Sequence, residues 1–132
     1  MSTGAELGLA RWHQVVESRD PAVLPGMIAE DAVFNSPAVH APQEGRDLVV
    51  AYLSAALVVL GPELTYHDTW LRENDAVLRF TTVVDGKQIE GIDLITWDDD
   101  GVIISFTVMI RPIRALEAVI GAMAKQLFGD PA

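Results

Sequence analysis

Asp93 is the residue of this sequence whose surroundings are most unusual for its type. It lies in the stretch IEGIDLITWDDDG, Ile89 to Gly101, together with three further aspartates that precede Gly101 and predict a solvated turn. Asp93 instead stands alone among Gly, Ile and Leu residues, a pattern that predicts a buried strand. Burial disfavours the charged form of a carboxyl and can raise its pKa by roughly 3 to 5 units. We therefore predict a protonated Asp93 that donates a hydrogen bond near neutral pH.

The sequence offers one candidate partner for proton transfer, His40, in the proline-flanked loop SPAVHAP. A histidine has an unperturbed pKa of about 6.5, which suits a general base. We predict an acid–base pair of His40 and Asp93, acting on a small apolar substrate with an enolisable carbonyl or a leaving hydroxyl. The alternatives are an Asp93 that is hydrogen-bonded to Trp12 or to backbone amides, or turned to solvent, and a His40 that only caps loop backbone groups.

The composition restricts the partners. The 132 residues carry a formal net charge of −10, which argues against nucleic acid and anionic membrane surfaces and favours a neutral or apolar small molecule. There is no cysteine, and the three histidines show no metal-ligand spacing, so we predict neither a metal nor a cofactor. The N-terminal residues lack the basic and apolar regions of a signal peptide, and a cytoplasmic protein is expected.

The apolar residues recur with a helical period in the first half of the sequence and with strand alternation in the second. We predict one domain, 1–132, of the α+β class, with helices packed on one face of an antiparallel sheet. The predicted helices begin at a Thr3–Glu6 capping box, at Asp20, at Arg46 and after Pro112. The predicted strands are Ala32–Pro37 and runs near Leu64–Arg72, Ala76–Val84, Lys87–Trp97 and Val102–Arg111, with a hairpin turn at Asp85-Gly86.

Two sequence motifs accompany this order of elements: AVF…P…EGR stands before the third helix, and DGxI…F stands at the start of the last strand. Together they resemble the NTF2-like superfamily, also called SnoaL-like or ketosteroid isomerase-like. The resemblance implies a curved sheet that wraps the helices into a cone with a deep apolar pocket, and a homodimer through the outer face of the sheet. It leaves the activity open, because the fold is shared by isomerases, dehydratases, polyketide cyclases, epoxide hydrolases and non-catalytic binders.

Comparison with ketosteroid isomerase assigns roles to three positions. Asp93 falls on that enzyme's protonated aspartate, Trp12 on its tyrosine, and Ser36 on its base. An indole N–H donates hydrogen bonds but is no acid, and an unactivated serine is a poor base. Steroid isomerisation by that enzyme's mechanism is therefore not expected. The resemblance places His40 at the mouth of the cone, opposite Asp93, which leaves it as the remaining candidate base.

Two function classes remain open: a cofactor-independent isomerase, dehydratase or cyclase, and a non-catalytic ligand-binding or dimerisation module. In both, the residues expected to line the pocket are Trp12, Phe34, Asn35, Ser36, Tyr52, Phe80, Phe106 and Ile110. On the strand of Asp93, the residues that point to the opposite face are Ile92, Leu94 and Thr96, and on the last strand Thr107 and Met109 are expected on that same outer face. These residues are too apolar for a face that contacts only water, which favours a dimer interface there.

Overall fold

Residues 2–129, which the computed structural model describes, form three α-helices, two 3-10 helices and one six-stranded sheet. The helices are α1 (Gly4–Ser18), a 3-10 helix (Pro21–Met27), α2 (Arg46–Leu60), a second 3-10 helix (Gly61–Glu63) and α3 (Ile113–Phe128). The strands are β1 (Ile28–Asn35), β2 (Gln43–Glu44), β3 (Thr65–Leu71), β4 (Asp75–Val84), β5 (Lys87–Trp97) and β6 (Ile103–Arg111). The predicted α+β class with a curved, open sheet around the helices is confirmed.

The sheet has the order β2-β1-β6-β5-β4-β3. Its pairs are antiparallel except β1 with β6, which run parallel, so the prediction of a purely antiparallel sheet misses this pair. A parallel pair needs a long crossover connection. Here that connection contains α2 and the strands β2 to β5. Strand β2 was not predicted, because two residues are too few to show a period.

Local sequence signals set the limits of several elements. Thr3 caps α1 by accepting a hydrogen bond from the Glu6 amide, and Asp20 caps the following 3-10 helix in the same way. The Asp85-Gly86 turn has positive φ at both residues, 51° and 72°, as a type I′ two-residue hairpin turn requires.

None of the helices in the described residues is long and apolar enough to span a membrane.

Strand β5 lies in the middle of the sheet and alternates strictly between its two faces. Ile89, Gly91, Asp93, Ile95 and Trp97 are buried, while the residues between them are half-buried. The inner face packs against the helices in the single main hydrophobic core. Asp93 is therefore buried on the inner face together with these neighbours, and the alternative in which it turns to solvent is wrong.

The outer face of the sheet is crossed by ion pairs. Arg79 binds Asp68 and Glu90, and Arg111 also binds Glu90, so that four strands are linked. Beside them, Met109 is 51% exposed, and Ile92 and Leu94 are half-buried. Dimerisation through this face remains a prediction.

Candidate functional site

Asp93 is the one charged residue among the described residues that is buried in the core, with 5% of its surface exposed. It pairs across the sheet with Leu78 on β4 and Val108 on β6. Both neighbours are buried apolar residues. The carboxyl therefore lies in an apolar wall, as the isolated aspartate in a buried-strand pattern predicts.

Two side chains connect Asp93 to α1 by hydrogen bonds. The Tyr66 hydroxyl lies 2.5 Å from Asp93 Oδ2, and the Trp12 indole N–H donates to the Tyr66 hydroxyl at 3.0 Å. We call Trp12, Tyr66 and Asp93 the buried triad. Trp12 thus reaches Asp93 only through Tyr66 and not directly. A tyrosine hydroxyl is present beside the acid after all, but it comes from β3 and not from α1.

Burial is the largest cause of the pKa shifts of Asp93 and Tyr66, the two titratable members of the triad. It raises the pKa of Asp93 to about 7, and the hydrogen bond from Tyr66, which favours the carboxylate, offsets only part of this effect. Burial, and after it the charge of Asp93, raises the pKa of Tyr66 well above its usual value. Near neutral pH, Asp93 therefore exchanges a proton while Tyr66 stays protonated.

His13 is a further titratable group near the triad. Its ring meets the Tyr66 ring edge-on, with the centroids 5.6 Å apart. Partial burial lowers the pKa of His13. It contacts the tyrosine ring and is not part of the hydrogen-bonded triad.

Two adjoining cavities occupy the inside of the cone. The smaller, of about 30 Å³, is lined by Tyr66, Asp93 and otherwise mostly apolar residues, among them Trp12, Leu53, Phe80 and Phe106. The larger, of about 130 Å³, lies between β1, α2 and α3 and is almost wholly apolar. The cavities share three lining residues, Ala56, Leu60 and Val108. A ligand that fills both would therefore extend from Asp93 to the underside of α3.

The residues predicted to line the pocket divide between these cavities. Trp12, Phe80 and Phe106 line the smaller one, and Phe34, Ser36, Tyr52 and Ile110 line the larger one. Asn35 lines neither. Strand alternation turns it away from the face of Phe34, and its amide donates to the Thr107 hydroxyl at 3.0 Å.

The structure does not bring His40 and Asp93 together. Ser36, Pro37, Ala38 and Val39 line the larger cavity, whereas His40 follows them on the exposed side of the loop and lines neither cavity. The Ser36 hydroxyl accepts a hydrogen bond from the Ala38 amide, which fixes the turn that carries the chain outward.

Sequence reasoning missed Tyr66, although a signal was present. Tyr66, His67 and Asp68 alternate, so placing His67 on the outer face already turns Tyr66 inward. His67 is indeed exposed and forms a hydrogen bond with Thr81 on the neighbouring strand.

Residues 2–129 contain no cluster of three side chains that could bind a metal ion, and the absence of a metal remains an expectation from the sequence.

Comparisons with known proteins agree with this architecture. The family model of the SnoaL-like domain matches residues 9–106. A steroid delta-isomerase from Pseudomonas aeruginosa is 36% identical, with a TM-score of 0.90 over 96% of this chain and 93% of that one. A protein with a cystatin-like fold from Silicibacter pomeroyi is 30% identical, with a TM-score of 0.87 over 96% and 89% of the two chains.

A more distant structure shows the fold alone. The epoxide hydrolase/cyclase-like enzyme SalBIII, which acts in pyran ring formation in salinomycin, is 15% identical, with a TM-score of 0.65 over 80% of this chain and 88% of that one. No curated protein sequence gave a match. The family model covers most of the chain, and the structural neighbours include isomerase- and cyclase-type proteins. The protein therefore belongs to the SnoaL-like domain family, within the NTF2-like fold.

Proposed function

We propose that this protein binds a small, largely apolar carbonyl compound whose oxygen lies against Asp93, and that Asp93 exchanges a proton with this compound. One observation carries the proposal: a single buried carboxyl lines an otherwise mostly apolar cavity and is hydrogen-bonded to Tyr66. Sites for small molecules typically combine an apolar lining with a few polar groups that fix the ligand's orientation.

The protonation of Asp93 suits this role. With a pKa of about 7, the carboxyl is neutral in about half of the molecules at neutral pH and can donate to a carbonyl oxygen. General acid–base catalysis is most efficient when the pKa of the group lies near the working pH. A buried carboxylic acid that is kept neutral in this way stabilises an enolate in ketosteroid isomerase. The similarity to a steroid delta-isomerase makes a steroid ketone one candidate substrate.

The partner of Asp93 in this proposal is Tyr66, in place of His40. Tyr66 contacts the carboxyl, whereas His40 is exposed and lines neither cavity. Ser36 stands where the resemblance puts the base, and its hydroxyl is engaged with the Ala38 amide. Asp93 is therefore the acid of this proposal: it gives its proton to the carbonyl oxygen and takes it back, while solvent water removes and returns the hydrogen on the neighbouring carbon.

Binding is tested with 1-indanone, a small bicyclic ketone, and with indane, which lacks the oxygen, by ligand-observed NMR at pH 6. We expect 1-indanone to bind about 10-fold more tightly, which corresponds to about 1.4 kcal/mol and to one hydrogen bond. Asp93→Ala should abolish the preference, and Asp31→Asn, an exposed carboxylate on β1, should leave it unchanged. Equal binding of the two compounds to the wild-type protein would contradict the proposal.

Proton transfer is tested with the same ketone in deuterated buffer, by following exchange of the hydrogens next to its carbonyl. We expect the wild-type protein to accelerate exchange and Asp93→Asn to lose about 10²- to 10⁴-fold of the rate, the usual contribution of a general acid–base group. The loss should be absent in Asp31→Asn.

A non-catalytic binding role is the second candidate. It is favoured by the lining of the cavities, whose polar side chains besides Asp93 are Trp12, Ser36, Tyr52 and Tyr66, none of them a base near neutral pH. The preference for 1-indanone without any accelerated exchange, for this ketone or for a steroid ketone, would establish the binding role.

A further inference from the structure

The hydrogen bonds of the buried triad have a fixed direction. An indole N–H can only donate, so the Tyr66 hydroxyl oxygen must accept from Trp12. The single hydroxyl proton of Tyr66 then needs an acceptor, and the acceptor within reach is Asp93 Oδ2 at 2.5 Å. The other groups that face the carboxyl, from α2, β4 and β6, are apolar. A Tyr66 proton turned anywhere else would be buried without a partner, which costs free energy.

This direction decides which carboxyl oxygen of Asp93 carries its proton. Because Oδ2 accepts from Tyr66, protonation has to occur on Oδ1. Among the described residues, the one side-chain nitrogen or oxygen atom that is enclosed without a hydrogen-bond partner is Trp97 Nε1. Asp93 Oδ1 has no hydrogen-bond partner within residues 2–129 either and is not among the enclosed atoms, so it borders open space. The smaller cavity, which Asp93 lines, is that space.

We propose that Trp12 is a positioning residue, whose N–H directs the Tyr66 proton to Asp93 Oδ2 and thereby leaves Oδ1, with the proton of Asp93, facing the ligand. The inference rests on the proposed function and narrows its ligand class. Oδ1 donates to a carbonyl while Asp93 is protonated, and accepts from a hydroxyl once Asp93 is ionised. The site therefore prefers a neutral carbonyl compound at low pH and a hydroxyl compound at high pH, and excludes carboxylates that would meet a buried negative charge.

The titratable groups around Asp93 are few. Tyr66 contacts it from β3, and His13 on α1 contacts the Tyr66 ring from the other side. The residues that approach from α2, β4 and β6 are the apolar Leu53, Leu57, Leu60, Phe80, Phe106 and Val108. Substitution of Trp12 therefore has two routes to the titration of Asp93: through the Tyr66 hydroxyl, or through the packing that keeps water away from the carboxyl.

The test is a double-mutant cycle read out on the carboxyl of Asp93. Its pKa is measured by ¹³C NMR of labelled aspartate, with the signal assigned by its absence in Asp93→Asn. The hydrogen bond from Trp12 makes Tyr66 a stronger donor, and the bond from Tyr66 favours the carboxylate. Trp12→Phe should therefore raise the pKa of Asp93, and Tyr66→Phe should raise it further. The double variant should match Tyr66→Phe alone, because Trp12 acts only through the tyrosine.

A merely structural role of Trp12 gives a different result. Its ring packs edge-on against Phe106 at 4.9 Å, and a loss of this packing would shift the pKa of Asp93 equally with or without the Tyr66 hydroxyl. Equal shifts in both backgrounds, or no shift on Trp12→Phe, would overturn the proposal. If Trp12→Phe fails to fold, replacing Trp12 by benzothienylalanine keeps the shape of the ring, removes only the N–H, and yields the same comparison.

The ligand part of the inference has its own readout. Binding of 1-indanone should weaken, and binding of 5-indanol should strengthen, as the pH rises through about 7, the pKa of Asp93. Parallel trends for the two probes would overturn the assignment of Oδ1 as the ligand-facing atom. If neither probe binds at any pH, the proposed function and its ligand class fail, while the double-mutant cycle still decides the positioning role of Trp12.

Discussion

Replacing Asp93 with asparagine is expected to remove most of the pH dependence of stability between about pH 4 and pH 7. In the folded protein this carboxyl has a pKa of about 7, against 3.8 for the ordinary group. Between these values the folded state binds more protons than the unfolded state, so the free energy of unfolding falls as the pH rises. Its contribution is fully present below pH 3.8 and is lost once the pH exceeds about 7.

The size of this effect follows from the shift. Three units at about 1.4 kcal/mol each amount to ~4 kcal/mol between the two ends of the range. Asparagine keeps the shape and an acceptor for the Tyr66 hydroxyl, and it has no charge to bury. We therefore expect the Asp93→Asn variant to be more stable than the wild-type protein at pH 8, and to lose this advantage at pH 4.

Urea unfolding at pH 4, 6 and 8 measures the difference. The net charge of −10 also makes the whole protein less stable as the carboxylates ionise, so the comparison needs a variant with the same charge change at the surface. Asp31→Asn provides it, because Asp31 is exposed on β1. If the free energy of unfolding of Asp93→Asn fell with pH as steeply as that of the wild-type protein, Asp93 would titrate normally in the folded protein.

Periodic patterns in the sequence predicted most of the fold. The first residue of α2 and both ends of β5 agree with the predictions, because their apolar positions follow the period of a helix and of a strand over more than ten residues. The apolar run around Asp93 also predicted that this residue is buried. Strand β2 and the parallel pairing of β1 with β6 depend on contacts between distant parts of the chain, which no local period encodes.

The candidate site was predicted less completely, for a related reason. Asp93 was identified because a charge interrupts an apolar strand, but His40 was assigned to a loop, where no period fixes the direction of a side chain. Tyr66 was overlooked on a strand with one half-buried residue and six exposed ones. Its role depends on a hydrogen bond to a residue 27 positions later, which becomes visible only in three dimensions.

Gly8→Ala is expected to destabilise the protein by about 1 to 3 kcal/mol, the usual cost of overpacking, although alanine favours helices. A Cβ on Gly8 would lie 2.2 Å from the buried Trp97 indole, so either the indole or α1 would have to shift. Trp12 lies one turn further along α1 on the same face, so the displacement should also lengthen its hydrogen bond to Tyr66.

The matched control is Gly121→Ala, in the middle of α3, where an added Cβ meets no atom within 4 Å. This substitution should stabilise the protein by about 0.5 to 1 kcal/mol, because alanine loses less backbone entropy than glycine in a helix. Thermal unfolding measures both variants, and the NMR signal of the Trp12 indole proton reports on the triad. If Gly8→Ala moves this signal and Gly121→Ala does not, the close approach of α1 to β5 is what positions Trp12. Equal stabilisation by both alanines would mean that α1 lies further from Trp97 than the structure shows.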